Sequence, residues 1–113
     1  MSVYLERWAR GTGLQDWPVP DVRIAQFATG SAPTRIAEAN PRRIALVISN
    51  NGSTDIYLGF APDVADGTGV LLPAGNNPLM LSGEHDAAMS MRQWYAVSGG
   101  GTSSVVVIET VLI

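Results

Sequence analysis

The stretch that decides the fold is RRIALVISNNGSTDIYLGF, residues 42–60. Two apolar runs flank the polar segment Asn50–Thr54, and runs of this length bounded by Asn, Gly and Ser are typical of β-strands. The pattern predicts a β-hairpin whose strands cover 42–49 and 55–60. Because Ile44–Ile48 is apolar at every position, both faces of the first strand should be covered.

Similar short runs follow along the chain and are separated by turn residues. Further strands are predicted at 22–29, 34–39, 70–72, 79–81, 92–98 and 104–113, with a helical turn at 86–89. Six to eight short strands with turns every 8–12 residues or so are typical of small antiparallel β folds. We therefore predict an all-β protein, an antiparallel β-sandwich or jelly-roll-like domain, with a small barrel as the alternative.

The final strand is apolar on both of its faces. One face carries four aliphatic residues, which we predict to contact another subunit: Val105, Val107, Val111 and Ile113. The other face carries Val106, Ile108 and Leu112, whereas a strand on the surface of a single domain is usually polar on one side. A second cover is therefore expected, supplied either by the N-terminal arm or by another copy of the chain.

The composition also favours assembly. Only 15% of the 113 residues are charged and 46% are hydrophobic, whereas about 25% charge is typical of soluble domains. A chain of this size forms one domain with a thin core. We expect part of its surface to be hidden against other chains. A compact monomer covered by Ser, Thr, Asn and Gly is the alternative.

The first quarter of the chain differs from the rest. We predict an N-terminal arm over residues 1–32, with a possible short helix at its start and an extended segment around Trp17-Pro18-Val19-Pro20, followed by the β-sandwich domain over 33–113. Tryptophans exposed on a free tail would leave large apolar areas in water. The arm is therefore expected to contact either its own domain or a neighbouring subunit, through these residues: Trp8, Trp17, Arg7 and Arg10.

Charge and residue usage exclude several partners. The net charge is −3 and the chain contains no Lys, which argues against the basic patch of a nucleic-acid-binding protein. The chain has no Cys for disulfides or thiolate metal sites. No run reaches the ~18 apolar residues of a membrane helix, and the N-terminus lacks the order of a signal peptide. We expect a protein of the cytosol, or one carried out of it in a larger particle.

Nothing in the sequence forms a convincing catalytic set. The single histidine, His85, lies between Glu84 and Asp86, which would point away from it in an extended segment. Asp63 and Asp66 lack the spacing of a calcium loop. The run at 99–101 is three glycines without the strand, helix and Lys of a phosphate loop. We predict that the chain is not an enzyme and holds no cofactor or metal.

One resemblance arises from the order of elements over roughly residues 36–113. The order is Asn40–Arg43, Ile44–Ile48, Asn50–Gly52, Ile56–Gly59, Leu72–Gly75, Leu79–Leu81, Trp94–Gly99 and a final Val-rich strand. It resembles small β-sandwich virion proteins of tailed bacteriophages. The resemblance implies a capsid decoration (cement) protein or a head-fibre component, made in the host cytoplasm and located in the virion. It further implies a homotrimer that binds the major capsid protein or another virion protein and stabilises the head.

An alternative function is binding of a carbohydrate or receptor at a head or tail fibre. Aromatic side chains such as Trp94 and Tyr95 stack well on sugar rings. This alternative requires Trp94 and Tyr95 to be exposed beside a groove.

Overall fold

The computed structural model describes residues 20–65, 68–75 and 78–112. These residues form eight strands and one short helical connection. The strands are β1 (Asp21–Thr29), β2 (Thr34–Ala37), β3 (Arg43–Asn50), β4 (Ile56–Gly59), β5 (Val70–Leu72), β6 (Leu79–Ser82), β7 (Trp94–Ser98) and β8 (Ser103–Val111). Helix α1 (Gly83–Asp86) and a 3-10 turn (Ala87–Ser90) connect β6 to β7.

The strands form two four-stranded antiparallel sheets. Sheet A has the order β1-β8-β3-β6 and sheet B has the order β2-β7-β4-β5. Successive strands cross from one sheet to the other, except for β4 and β5, which are neighbours in sheet B. Two stacked sheets joined in this way form a jelly-roll sandwich. The predicted all-β, jelly-roll-like fold is confirmed.

The predicted hairpin at 42–60 is wrong. Its first strand, β3, lies in sheet A between β8 and β6, and its second strand, β4, lies in sheet B between β7 and β5. The connecting segment therefore carries the chain from sheet A to sheet B. The apolar run at 44–48 reflects a central strand, and such a run does not specify which strand lies beside it.

The core lies between the two sheets. Leu46 and Ile48 of β3 point inward, and fully buried residues from both sheets pack against them. The largest of these is Trp94, whose ring lies against Phe60 with 4.6 Å between centroids and whose Nε1 donates to the carbonyl of Met89. Each fully buried Leu, Ile or Val contributes about 1.5–3 kcal/mol, so these inward-facing side chains hold the sheets together.

The sandwich includes part of the predicted arm. β1 pairs with β8 along its whole length, from Asp21 opposite Val111 to Thr29 opposite Ser103. Residues 21–29 are thus an edge strand of sheet A, and the proposed division at residue 32 stays a prediction. Residues 1–19 lie outside the described part of the chain. Within that part, no helix is long and apolar enough to span a membrane.

Candidate interaction surfaces

The outward-facing side of sheet A is mostly apolar. The strand register places one set of apolar side chains on this side, which we call the outer apolar face: Val22, Ile24, Ala45, Val47, Met80, Val106 and Ile108. A continuous row crosses all four strands, because Ile24 lies opposite Ile108, Ile108 opposite Val47, and Val47 opposite Met80. Directly opposed side chains of an antiparallel sheet share one face, so this row forms a single surface.

Much of this surface is open to solvent. Val22 is 58% exposed, Ile24 70% and Met80 68%. The other positions that the register assigns to this face carry Gln26, Ala28 and the hydroxyl residues of β3, β6 and β8, and none of these described positions is charged. Contiguous apolar surface on a soluble domain usually marks an interaction site.

The edge strand β1 is a second feature of sheet A that favours contact with another chain. It has nine residues, whereas the other edge strands, β2, β5 and β6, have three or four. Native proteins usually shorten edge strands or place charges on them, because an exposed edge pairs with other chains. On β1, Arg23 and Asp21 form an ion pair on the inward-facing side, and the outward-facing side carries no charge. Beyond Arg23 the strand carries no charge, and this uncharged length of edge is suited to contact another chain.

The valines predicted to form a subunit contact lie elsewhere. Val105, Val107 and Val111 are 0%, 3% and 4% exposed and point between the sheets. Their cover is therefore supplied by the chain's own sheet B. A subunit contact through them stays a prediction, and it would require the sandwich to open. Ile113 lies outside the described residues.

A cleft of about 360 Å³ opens where β1 of sheet A faces β2 of sheet B. Its apolar floor includes Phe27, Ile36 and Val107, and its walls include Ala25 and the segment 38–40. Clefts of this size are large enough to hold a small ligand or a large side chain.

Arg43 forms the back wall of this cleft. The residue is 1% exposed, and its Nε donates to Glu109 Oε2 at 2.8 Å. Its Nη atoms donate to the backbone carbonyls of Ser90, Arg92 and Glu38. The guanidinium thus joins β3 and β8 to the connections that follow β2 and precede β7. This role is structural. In the sequence, Arg43 is marked only by its place next to Arg42 at the start of an apolar run.

Two other arginines line the rim of the cleft. Arg23 Nε donates to Asp21 at 2.9 Å, and Arg35 Nη2 donates to Glu38 at 3.2 Å. Both arginine side chains are about half exposed. Each of the three arginines, Arg43 included, is paired with a carboxylate, although Asp21, the partner of Arg23, does not itself line the cleft. An apolar floor beneath guanidinium groups suits an uncharged aromatic group better than an anion.

The structure provides no support for the carbohydrate-binding alternative. Trp94 is 1% exposed and Tyr95 is half-buried, so Trp94 cannot stack on a sugar ring at the surface. Among the described residues, no group of three or more His, Cys, Asp and Glu side chains is placed to hold a metal. The arm residues Trp8, Trp17, Arg7 and Arg10 lie outside the described part of the chain.

Comparisons with known proteins give one match. No family model matches the sequence, and no curated protein matches it. A solved structure described by the words "Bacillus endospore appendages form a novel family of disulfide-linked pili" matches the fold, with a TM-score of 0.50 and 8% identity. The match covers 84% of this chain and 88% of that chain. At this identity the likeness shows a shared fold.

This match corrects the resemblance drawn from the sequence. The matching structure is a pilus and not a bacteriophage protein, so the predicted virion function, virion location and capsid decoration role are wrong. The match gives no support to a capsid partner. The order of strands and turns over 36–113 is typical of jelly rolls in general and does not distinguish phage proteins from pili. The match is to a pilus rather than an enzyme, in agreement with the prediction that this chain is not an enzyme. Pili are polymers, which agrees with the self-association we expected.

Proposed function

We propose that this chain is a structural subunit that associates with copies of itself, and that the outer apolar face makes the contact. The observation that carries the proposal is an uncharged row across all four strands of sheet A, in which Ile24 and Met80 are exposed and Ile108 and Val47 between them are half-buried. Covering this row removes apolar area from water, which favours association by about 25 cal/mol per Å² before the costs of ordering are subtracted.

The fold supports a polymeric form. The matching structure is described as belonging to a family of disulfide-linked pili. The 113 residues of this chain contain no cysteine, so copies of this sequence cannot be linked in that way. Non-covalent contacts must then hold any assembly, and an exposed apolar sheet face is a suitable source of them.

The geometry of the contact determines the form of the assembly. Two outer apolar faces packed on each other form a symmetric pair, which by itself joins only two copies. A second, different contact is needed for a longer polymer, and an arrangement that closes on itself would give a ring such as the trimer expected from the sequence. The likeness to a pilus supports the open, filamentous form over the closed trimer.

Ile24→Asp is expected to reduce assembly without unfolding the subunit. A carboxylate on the edge strand of the face would have to be desolvated in the contact, whereas in the monomer it stays in water because Ile24 is 70% exposed. We expect light scattering to show wild-type assemblies heavier than the 12.0 kDa subunit, and a fall in mass by about half or more in the variant, because a symmetric face joins copies in pairs.

A matched control is Leu71→Asp, which introduces the same charge at an exposed apolar position of sheet B. Its assemblies should keep the wild-type mass, and thermal unfolding of both variants should stay close to wild type. A wild-type mass of 12.0 kDa at every concentration would contradict the proposed function. Equal losses of mass in the two variants would place the contact elsewhere than on sheet A.

A further inference from the structure

The open edge of sheet A presents backbone groups whose direction follows from the neighbouring strands. The amide N–H of Asn51 donates to the Ser104 carbonyl at 2.8 Å, so the backbone groups of Ser104 point toward the β3 side of β8. Ala28 of β1 lies opposite Ser104 and therefore does not bond to it. Because this direction alternates along a strand, Ala28 and every second residue before it point away from β8. These residues are Val22, Ile24, Gln26 and Ala28.

Within the described part of the chain, no strand pairs with this edge. β1 stands at the end of sheet A, and β8 is its neighbour there. A row of unpaired N–H and C=O groups is a template for a further strand from another chain. The strand that fits best is one of similar length whose side chains complement those of β1.

The sequence of β1 is complementary to itself. When a second copy lies antiparallel with Ala25 at the symmetry axis, all nine residues are paired, beginning with Asp21 opposite Thr29 of the second copy. Residues whose backbone groups point outward then face each other, Ile24 opposite Gln26, as the exchange of hydrogen bonds requires. Ala25 meets its own copy at the axis, and its small methyl group permits this close approach.

The charges on β1 favour the same register. Arg23 lies opposite Phe27 of the second copy, where a guanidinium can rest on an aromatic ring. The chain makes such a contact elsewhere, because the guanidinium of Arg92 lies 4.4 Å from the centre of the Phe60 ring. A shift that placed Arg23 opposite itself would bring like charges together.

We propose that β1 pairs with β1 of a second copy, antiparallel about Ala25, and joins the two four-stranded A sheets into one. The inference rests on the proposed self-association and supplies the second contact that a longer polymer needs. The edge contact and the contact through the outer apolar face are both symmetric but use different surfaces. Copies joined alternately through the two contacts can form an open chain.

Cysteine cross-linking tests the register, because the chain has no cysteine of its own. The parent is the Met80→Asp chain, in which a charge on β6, at the opposite end of sheet A from β1, weakens the outer-face contact. Facing residues that do not exchange backbone hydrogen bonds have Cα atoms about 4.5 Å apart, a separation that a disulfide can span. With oxidised glutathione present, Ala25→Cys in this parent is therefore expected to form a disulfide-linked dimer with twice the 12.0 kDa mass of the subunit.

Two further variants serve as controls. Ala28→Cys changes another exposed alanine of β1. In the proposed register its two copies lie about 20 Å apart, six residues along the strand at ~3.4 Å each, so this variant should not cross-link. Gln26→Pro removes an N–H that points out of the sheet, a position where an edge strand accepts proline. It should reduce cross-linking through Ala25→Cys, while thermal unfolding shows that every variant is folded.

The outcomes separate the edge contact from the proposed function. Equal cross-linking by the two cysteine variants, or cross-linking that Gln26→Pro leaves unchanged, would overturn the inference. An Ala25→Cys chain that does not cross-link while wild type assembles would also overturn it, but would leave the proposed function standing. Slow labelling of that thiol by a maleimide in the monomer would then show that another part of the same chain covers the edge.

Discussion

Replacing Arg43 with methionine is expected to lower the free energy of unfolding by about 3–5 kcal/mol, the range for breaking a buried ion pair by removing one partner. The guanidinium is almost fully buried and bonds the Glu109 carboxylate and three backbone carbonyls. Methionine fills similar space but donates no hydrogen bond. Glu109, whose side chain is only 22% exposed, would then keep a charge with no buried partner.

Chemical denaturation of the Ile24→Asp chain with and without the Arg43 change measures this effect, because the weaker assembly simplifies the equilibrium. Arg42→Met is the matched control. Arg42 is exposed and its Nε donates to the Leu112 carbonyl, so its loss should cost less than about 1 kcal/mol. Similar small losses in both variants would show that Arg43 is not a structural centre of the fold.

Replacing Asn50 with leucine is expected to lower the free energy of unfolding by about 3 kcal/mol or more, because four hydrogen bonds would be lost and the buried Leu72 carbonyl would lose its side-chain donor. The buried amide Nδ2 donates to the carbonyls of Thr54 and Leu72, and Oδ1 accepts from Gly52 N and Ser103 Oγ. These four bonds fix the segment that carries the chain from sheet A to sheet B. Leucine has nearly the same size and can satisfy none of them.

Denaturation in the same parent again gives the measurement. The neighbouring Asn51→Leu provides the control: its side chain is exposed and accepts a hydrogen bond from Ser49 Oγ. We expect a loss below about 1 kcal/mol for this variant. If both leucine variants lost the same stability, the buried amide would not be what holds the crossing between the sheets.

The positions of the strands could be predicted from the sequence, but the pairing of strands within the sheets could not. Strand positions follow from local apolar runs, and β5 at Val70–Leu72 coincides with its prediction. The partner of β3 is set by sheet stacking over the whole chain, which a local pattern cannot encode. The segment 42–60 therefore predicted a hairpin, whereas the side chain of Asn50 anchors a crossing between sheets.

The candidate surfaces were predictable only in part. The last strand is apolar on both faces, as the sequence indicated, but the sequence did not distinguish the inward face with Val105 and Val107 from the outward face with Val106 and Ile108. The distinction depends on which face meets sheet B. The sequence showed that Val22 and Ile24 lie on one side of β1. Only the pairing of β1 with β8 shows that this side continues into a larger apolar face. The cleft has no sequence signal, because its lining comes from β1, β2, the segment 38–40, β3 and the distant β8, and only the stacking of the two sheets brings them together.

If copies of the chain meet through the outer apolar face, the contact buries Met80, and a comparison of two methionines measures this directly. Met80 lies on that face and is 68% exposed, whereas Met89 is 41% exposed in the 3-10 turn outside it. Exposed methionines oxidise to the sulfoxide, and a contact that buries the sulfur slows the reaction. Oxidation of each methionine is followed by peptide mass spectrometry at increasing protein concentration. We predict that Met80 becomes protected as assembly proceeds while Met89 keeps its rate; equal rates for Met80 in monomer and assembly would contradict the account.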